Sequence, residues 1–147
     1  MMHNKESDTI HLLRECDAGI QMGITAIEEV IDYVKEDKFR QLLETCKDKH
    51  ETLRKDLEKI LKEHKEEGKD PNPMVRGMSW MKTKGKLAID ASDPTAADLI
   101  TDGCNMGVKS LHRYLNQYQD AEEDVKDLAK RLINLEEKLS VDIRGYL

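Results

Sequence analysis

No apolar run in this chain approaches the roughly 20 residues that a helix needs to cross a bilayer. The polar opening MMHNKESDTI lacks both the cationic and the apolar stretch of a secretory leader. These absences predict a cytoplasmic protein with no membrane partner. Cysteine is sparse, with three residues at unrelated spacings. An odd count of that kind fits reduced thiols in a cytoplasm better than a disulfide framework. A surplus of cations is also missing: 24 Lys and Arg stand against 30 Asp and Glu, for a net charge of -6. Nucleic-acid binding needs a cationic face that releases counterions, so no such partner is expected. Aromatics make up 4% of the chain and prolines number three. There is no P-loop, no Gly-rich dinucleotide turn, no H-E-x-x-H and no Ser or Cys nucleophile motif. The sequence therefore names no catalytic residue and assigns no cofactor.

What is present is charge (37%) interleaved with hydrophobic residues (38%). Disordered chains are also highly charged, but they lack regularly spaced aliphatics. Here the aliphatics recur every three or four residues, which places them on one stripe of a helix. Leu13, Cys16, Ile20, Ile24, Ile27, Ile31 and Val34 mark a first helix over 8–35, with Asp8 or Ser7 as its N-cap. Phe39, Leu43, Cys46, His50, Leu53, Leu57, Ile60 and His64 mark a second over 37–65. Gly68, Pro71 and Pro73 break the pattern. A helix then follows over 74–91, and SDP at 92–94 stops it. Two further stripes run over 95–119 and about 121–144. The chain thus divides into a flexible N-terminus (1–7), a first hairpin (8–65), a connector with a helix (66–94) and a second hairpin (95–147), all in one domain spanning 1–147. A globular chain of this length withdraws roughly 70% of its unfolded surface from water.

The two hairpins share a pattern. GIQMGITAI at 19–27 aligns without gaps to GCNMGVKSL at 103–111, 84 residues later, as a duplicated hairpin would. The connector decides the topology. Its 18 or so helical residues extend about 27 Å at 1.5 Å each, far enough to carry the chain along the bundle. The second hairpin then starts at the opposite end, in the ferritin-like order. The expected fold is all-α, a four-helix bundle of two antiparallel hairpins joined by a long crossover helix.

Three stretches carry a family likeness: CDAGIQMGITAIEEV in the first helix, MVRGMSWMKTKGKLA in the connector and ITDGCNMGVKSLHRYL opening the second half. In these the chain resembles the small bacterial ferritin-like four-helix proteins of unknown function, whose halves flank a Trp-bearing connector helix. The resemblance spans nearly the whole chain from about residue 8. It implies a fold and brings no established activity.

Ferritin-like di-iron proteins place a Glu from each of two helices, and Glu-x-x-His from each of the others, inside the bundle. Counting depth along the helices puts His50, Gly23/Ile24, Gly107/Val108 and Leu132 in the central layer. No carboxylate falls on the stripes there, and Lys47 stands three before His50 where Glu is required. A carboxylate-free iron pair is chemically implausible, so an apolar centre is expected. The two mid-helix glycines cost roughly 1 kcal/mol each against Ala, which implies that something bulky, His50 or a methionine, approaches them. No metal site is assigned. The residues nearest to one are Cys46 and His50, four apart on one face, and Cys104 at similar depth, a set that can bind zinc with an open position. The bland alternative is small apolar thiols and a buried imidazole satisfied by a carbonyl or water.

On the connector, Met74, Met78, Met81 and Trp80 either bury against the bundle or form a homodimer contact. Arg76, Lys82, Lys84 and Lys86 beside them are a solvated face or an anion-binding stretch. His112, Tyr114 and Tyr118 have no identifiable partner for acid–base work. The expectation is a non-catalytic structural or interaction protein, stress-associated as such bundles often are, and dimeric. The alternatives are a metal-binding bundle using Cys46 and His50, and a bundle whose central glycines open a ligand cavity beside Ile24, Ile27, Val108 and Leu111.

Overall fold

Stripes of aliphatics at helical spacing become four long helices in the computed structural model, which describes residues 5–64 and 90–147. They are α1 (Lys5–Ile31), α2 (Asp37–Glu63), α3 (Asp93–Gln117) and α4 (Glu123–Asp142), followed by a 3-10 turn at Arg144–Tyr146. The expected connector helix at 74–91, with its methionines, Trp80, Arg76 and lysines, falls mostly outside the described residues. None of the described helices is long and apolar enough to cross a membrane.

Helix boundaries differ from expectation where side chains serve another element. Asp8 does not cap α1, which already includes Lys5. It is buried, and its carboxylate accepts the Asp120 N–H at 3.1 Å, while Thr9 Oγ accepts the Glu122 N–H at 2.9 Å. The first turn of α1 thus satisfies backbone donors in the turn between α3 and α4. SDP at 92–94 is a start signal: Ser92 Oγ accepts the Thr95 N–H at 3.3 Å and Pro94 occupies the first turn of α3, where its missing N–H costs nothing. The Asp93 carboxylate reaches back to the turn between α1 and α2, accepting from Lys35 N (2.7 Å) and Glu36 N (3.0 Å).

Those contacts fix the ends. The N-terminus of α1, the α3–α4 turn and the C-terminus of α2 meet at one end, where His64 Nε2 lies 2.8 Å from Glu122. The α1–α2 turn and the start of α3 meet at the other, where Tyr146 stacks on the buried Phe39 with ring centroids 4.6 Å apart. Helix α2 therefore finishes at the end opposite to the one where α3 begins. Each hairpin packs against itself, α1 packs on α3, and α4 packs on α2 and diagonally on α1.

Burial repeats between the halves. All six buried residues of α2 (Phe39, Leu43, Cys46, His50, Leu53, Leu57) recur 86 residues later as buried residues (Val125, Ala129, Leu132, Glu136, Leu139, Ile143). The five buried residues of α3 each lie 84 after a buried residue of α1. This agrees with a duplicated hairpin in which α3 runs two residues further than α1 before a turn of the same length. The apolar core is in two clusters, one around Leu12, Cys16, Ile20 and Leu132, the other around Ile27, Phe39, Leu43 and Ile100. Each fully buried aliphatic contributes roughly 1.5–3 kcal/mol relative to exposure. Between the clusters sits the one polar pair of the mid-bundle core among the described residues.

Candidate functional site: a buried histidine–glutamate pair

His50 projects from the inward stripe of α2, one turn after Cys46. Its Nδ1 lies 2.8 Å from the Cys46 carbonyl oxygen and its Nε2 lies 2.8 Å from Glu136 Oε1, from α4. The carbonyl only accepts, so Nδ1 carries a proton and donates it. A proton is then shared between Nε2 and the carboxylate. Burial works against the charged ring, but the contacts with Cys46 and Glu136 outweigh it and push the His50 pKa up to about 10. The pair is an imidazolium and a carboxylate, out of water, with both ring nitrogens hydrogen-bonded.

The glycine notch on α1 makes room for it. A Cβ at Gly23 would stand 2.7 Å from His50 Cδ2, closer still to Nε2, and 3.2 Å from Glu136 Oε1. No real Cβ tolerates such distances, and the ring cannot swing away without breaking two hydrogen bonds. The equivalent Gly107 on α3 faces Glu136 more loosely, at 4.0 Å from Oε2. The Cys104 thiol completes the surroundings: burial, then the charge of Glu136 and a hydrogen bond to it, raise its pKa and keep it as S–H.

One expectation changes here. The centre is not wholly apolar, because Glu136 brings a buried carboxylate between the two clusters. Depth counting picked Leu132 and passed over the residue four after it and three before Leu139, which lies on the same stripe. The approach to Gly23 is confirmed to come from His50, and the imidazole is satisfied by a carbonyl, as the bland reading had it, with a carboxylate added.

The residues do not fit a di-iron centre. Among the described residues the buried carboxylates are Glu136 and, at the end of the bundle, Asp8. Lys47 turns outward to Glu28 at 3.4 Å. Cys46 Sγ is 3.6 Å from His50 Nδ1, the nitrogen that carries a proton and has no lone pair for a metal. Among the described residues, the three candidate ligands whose donor atoms come together are His64, Glu122 and Asp124 at the surface, where the first two already pair across the ends of α2 and α4.

The remaining candidates lie apart from this pair. Cys16 is enclosed in the first cluster, and burial with Glu15 and Asp17 nearby pushes its pKa up to about 12. The Tyr114 hydroxyl bonds Glu15, and that bond, with burial, pushes its pKa up to about 12. Tyr118 stacks on His11 with centroids 5.3 Å apart at the end of the bundle, and burial raises its pKa as well. His112 lines a shallow surface groove with Val141 and Arg144. No acid–base arrangement joins the three. Compared with known proteins, the chain matches no family model, no curated protein and no solved structure.

Proposed function

We propose that this chain is a ferritin-like bundle with a crossover between its hairpins, that it holds no di-iron centre, and that it serves as a non-catalytic structural or interaction protein working as a dimer. One observation carries the reading. The place where relatives of such a fold would hold metal is taken by a His50–Glu136 pair whose ring nitrogens are both hydrogen-bonded. The crossover is supported by the opposite ends at which α2 finishes and α3 begins.

Elemental analysis of protein purified without chelator tests the first part. Well under one metal per chain is expected. A stoichiometric metal that disappears in Cys46→Ala, His50→Ala protein overturns the reading in favour of a metal-binding bundle. Light scattering over a concentration series tests the second part, and a monomer at every accessible concentration removes the dimer.

A further inference from the structure

Away from the centre, metal-binding side chains converge at the end of the bundle where α2 finishes. His64 caps α2, and its backbone N–H is bonded to the Ile60 and Lys62 carbonyls. Glu122 is the N-cap of α4, and its backbone N–H is held by Thr9 Oγ at 2.9 Å. The Glu122 carboxylate makes no bond to the first turn of α4. It reaches across to His64 instead, with Oε2 2.8 Å from Nε2. Asp124, in the first turn of α4, adds a third donor, and one donor atom from each of the three lies within 4.8 Å of the others.

This is more than a surface ion pair needs. A pair takes one acid, whereas here two carboxylates from one hairpin close on an imidazole from the other. The last carbonyls of α2 add negative partial charge on the His64 side, which favours a cation between the elements. The repeat does not impose the set: at the corresponding place in the first hairpin, Glu36 stands for Glu122 but Lys38 stands for Asp124. The spacing also suits one ion. Donors about 2.0–2.2 Å from a zinc ion stand roughly 3.4 Å apart in a tetrahedron. The His64–Glu122 contact is already inside that distance, and Asp124, which is exposed, closes the rest by rotation of its side chain.

We propose that His64, Glu122 and Asp124 bind a zinc-class divalent cation that clips the end of α2 to the start of α4. One imidazole with two carboxylates suits zinc and its transition-metal neighbours, and three protein ligands leave a position for water. Magnesium, which takes oxygen ligands, is disfavoured by the imidazole. The ion takes the place of the proton between His64 and Glu122. Three ligands at an open surface hold it reversibly, so protein purified without added metal carries little of it. The inference is independent of the reading of the bundle centre, whose candidate ligands are Cys46 and His50.

The test titrates zinc chloride into the chelator-stripped full-length chain, followed by calorimetry and by thermal melting. One zinc per chain is expected, with the melting midpoint raised by roughly 5–10 °C at a hundredfold excess over Kd. Magnesium chloride should leave the midpoint unchanged. His64→Gln and Asp124→Asn should each weaken zinc binding at least about tenfold, since even the hydrogen-bonding partners of metal ligands are worth that much. Cys46→Ala should bind as the parent does. Both ligand positions are at the surface, so the metal-free variants should melt close to the parent, and lost binding then reports ligation. The inference is overturned if zinc does not bind, if binding does not saturate at one per chain, if the ligand variants bind as tightly as the parent, or if Cys46→Ala abolishes binding.

Discussion

Replacing Gly23 by alanine separates packing from helix propensity, because the two act in opposite directions at this position. Ala is better than Gly in a helix interior by about 1 kcal/mol, so a mid-helix Gly→Ala change normally stabilises. At Gly23 the new methyl would lie 2.7 Å from His50 Cδ2 and 3.2 Å from Glu136 Oε1. The ring is pinned on one side by the Cys46 carbonyl and on the other by Glu136, so it must break a buried contact to yield. Overpacking costs about 1–3 kcal/mol, and opening a buried ion pair costs about 3–5 kcal/mol. A net loss of about 1–3 kcal/mol is expected. Two controls sit in the repeat: Gly103, with nothing within 4 Å of its added Cβ, and Gly107, with Glu136 Oε2 at 4.0 Å. Both should gain up to about 1 kcal/mol as alanines. At roughly 2–4 °C per kcal/mol for a chain approaching 150 residues, thermal and urea melts resolve the three variants. Gly23→Ala melting at or above the Gly103→Ala protein would refute the packing argument.

Removing one member of the central pair is expected to destabilise more than removing both. Glu136→Leu alone should lose about 3–5 kcal/mol, while His50→Leu with Glu136→Leu should return to near the parent stability, a non-additivity read from a double-mutant cycle in urea. Stability should also fall with rising pH. The folded pKa of His50 is raised from 6.5 to about 10, so its contribution is complete below pH 6.5 and is lost as the pH climbs toward 10; denaturant midpoints across that window should decline in the parent and stay flatter in the double Leu variant. Asp93→Ala removes the acceptor for two backbone donors of the α1–α2 turn and should cost about 1–2 kcal/mol, with amide exchange at Lys35 and Glu36 accelerated first.

The all-helical architecture was readable because burial of an amphipathic helix leaves a periodic trace, and every buried residue of α2 is on the stripe drawn from the sequence. The helix ends were less readable. Asp8, Ser92 and Asp93 are all residues that cap or start helices, but which backbone donors they serve depends on what tertiary packing brings near. Asp8 serves a turn 112 residues away, and no local rule could assign it. The site was half readable. His50 was singled out with Gly23 in the central layer and with Cys46 as a candidate ligand pair, and it does meet both. Glu136 was missed because a glutamate in EEK reads as solvated surface when charge is weighed alone. The signal that finds it is the repeat: carrying the stripe of α2 forward to α4 at the spacing that aligns the other buried positions lands on Glu136 opposite His50.

That same repeat explains why a pair that contributes little net stability over leucines occupies the middle of the core. Two hairpins with matching buried positions present similar faces, so a hairpin in one chain can in principle seat against its own copy in another. His50 and Glu136 sit at equivalent places in the two halves. When α2 packs on α4, an imidazolium meets a carboxylate at 2.8 Å. When like packs on like, two imidazolia or two carboxylates meet in the same dry position. Two such charges 4 Å apart repel by about 4 kcal/mol at an effective dielectric near 20, and each also lacks its counter-charge. The apolar stripe alone does not distinguish these arrangements, since leucine packs on leucine either way. An opposite-charge pair on the internal symmetry axis does distinguish them, as polar core residues do when they set register in coiled coils. The His50 and Glu136 charges are thus expected to penalise the wrong pairing more than they strengthen the right one. The double Leu variant should then keep its stability but exchange hairpins between chains, read as concentration-dependent oligomers in sizing. An exchange-free double Leu variant would refute this.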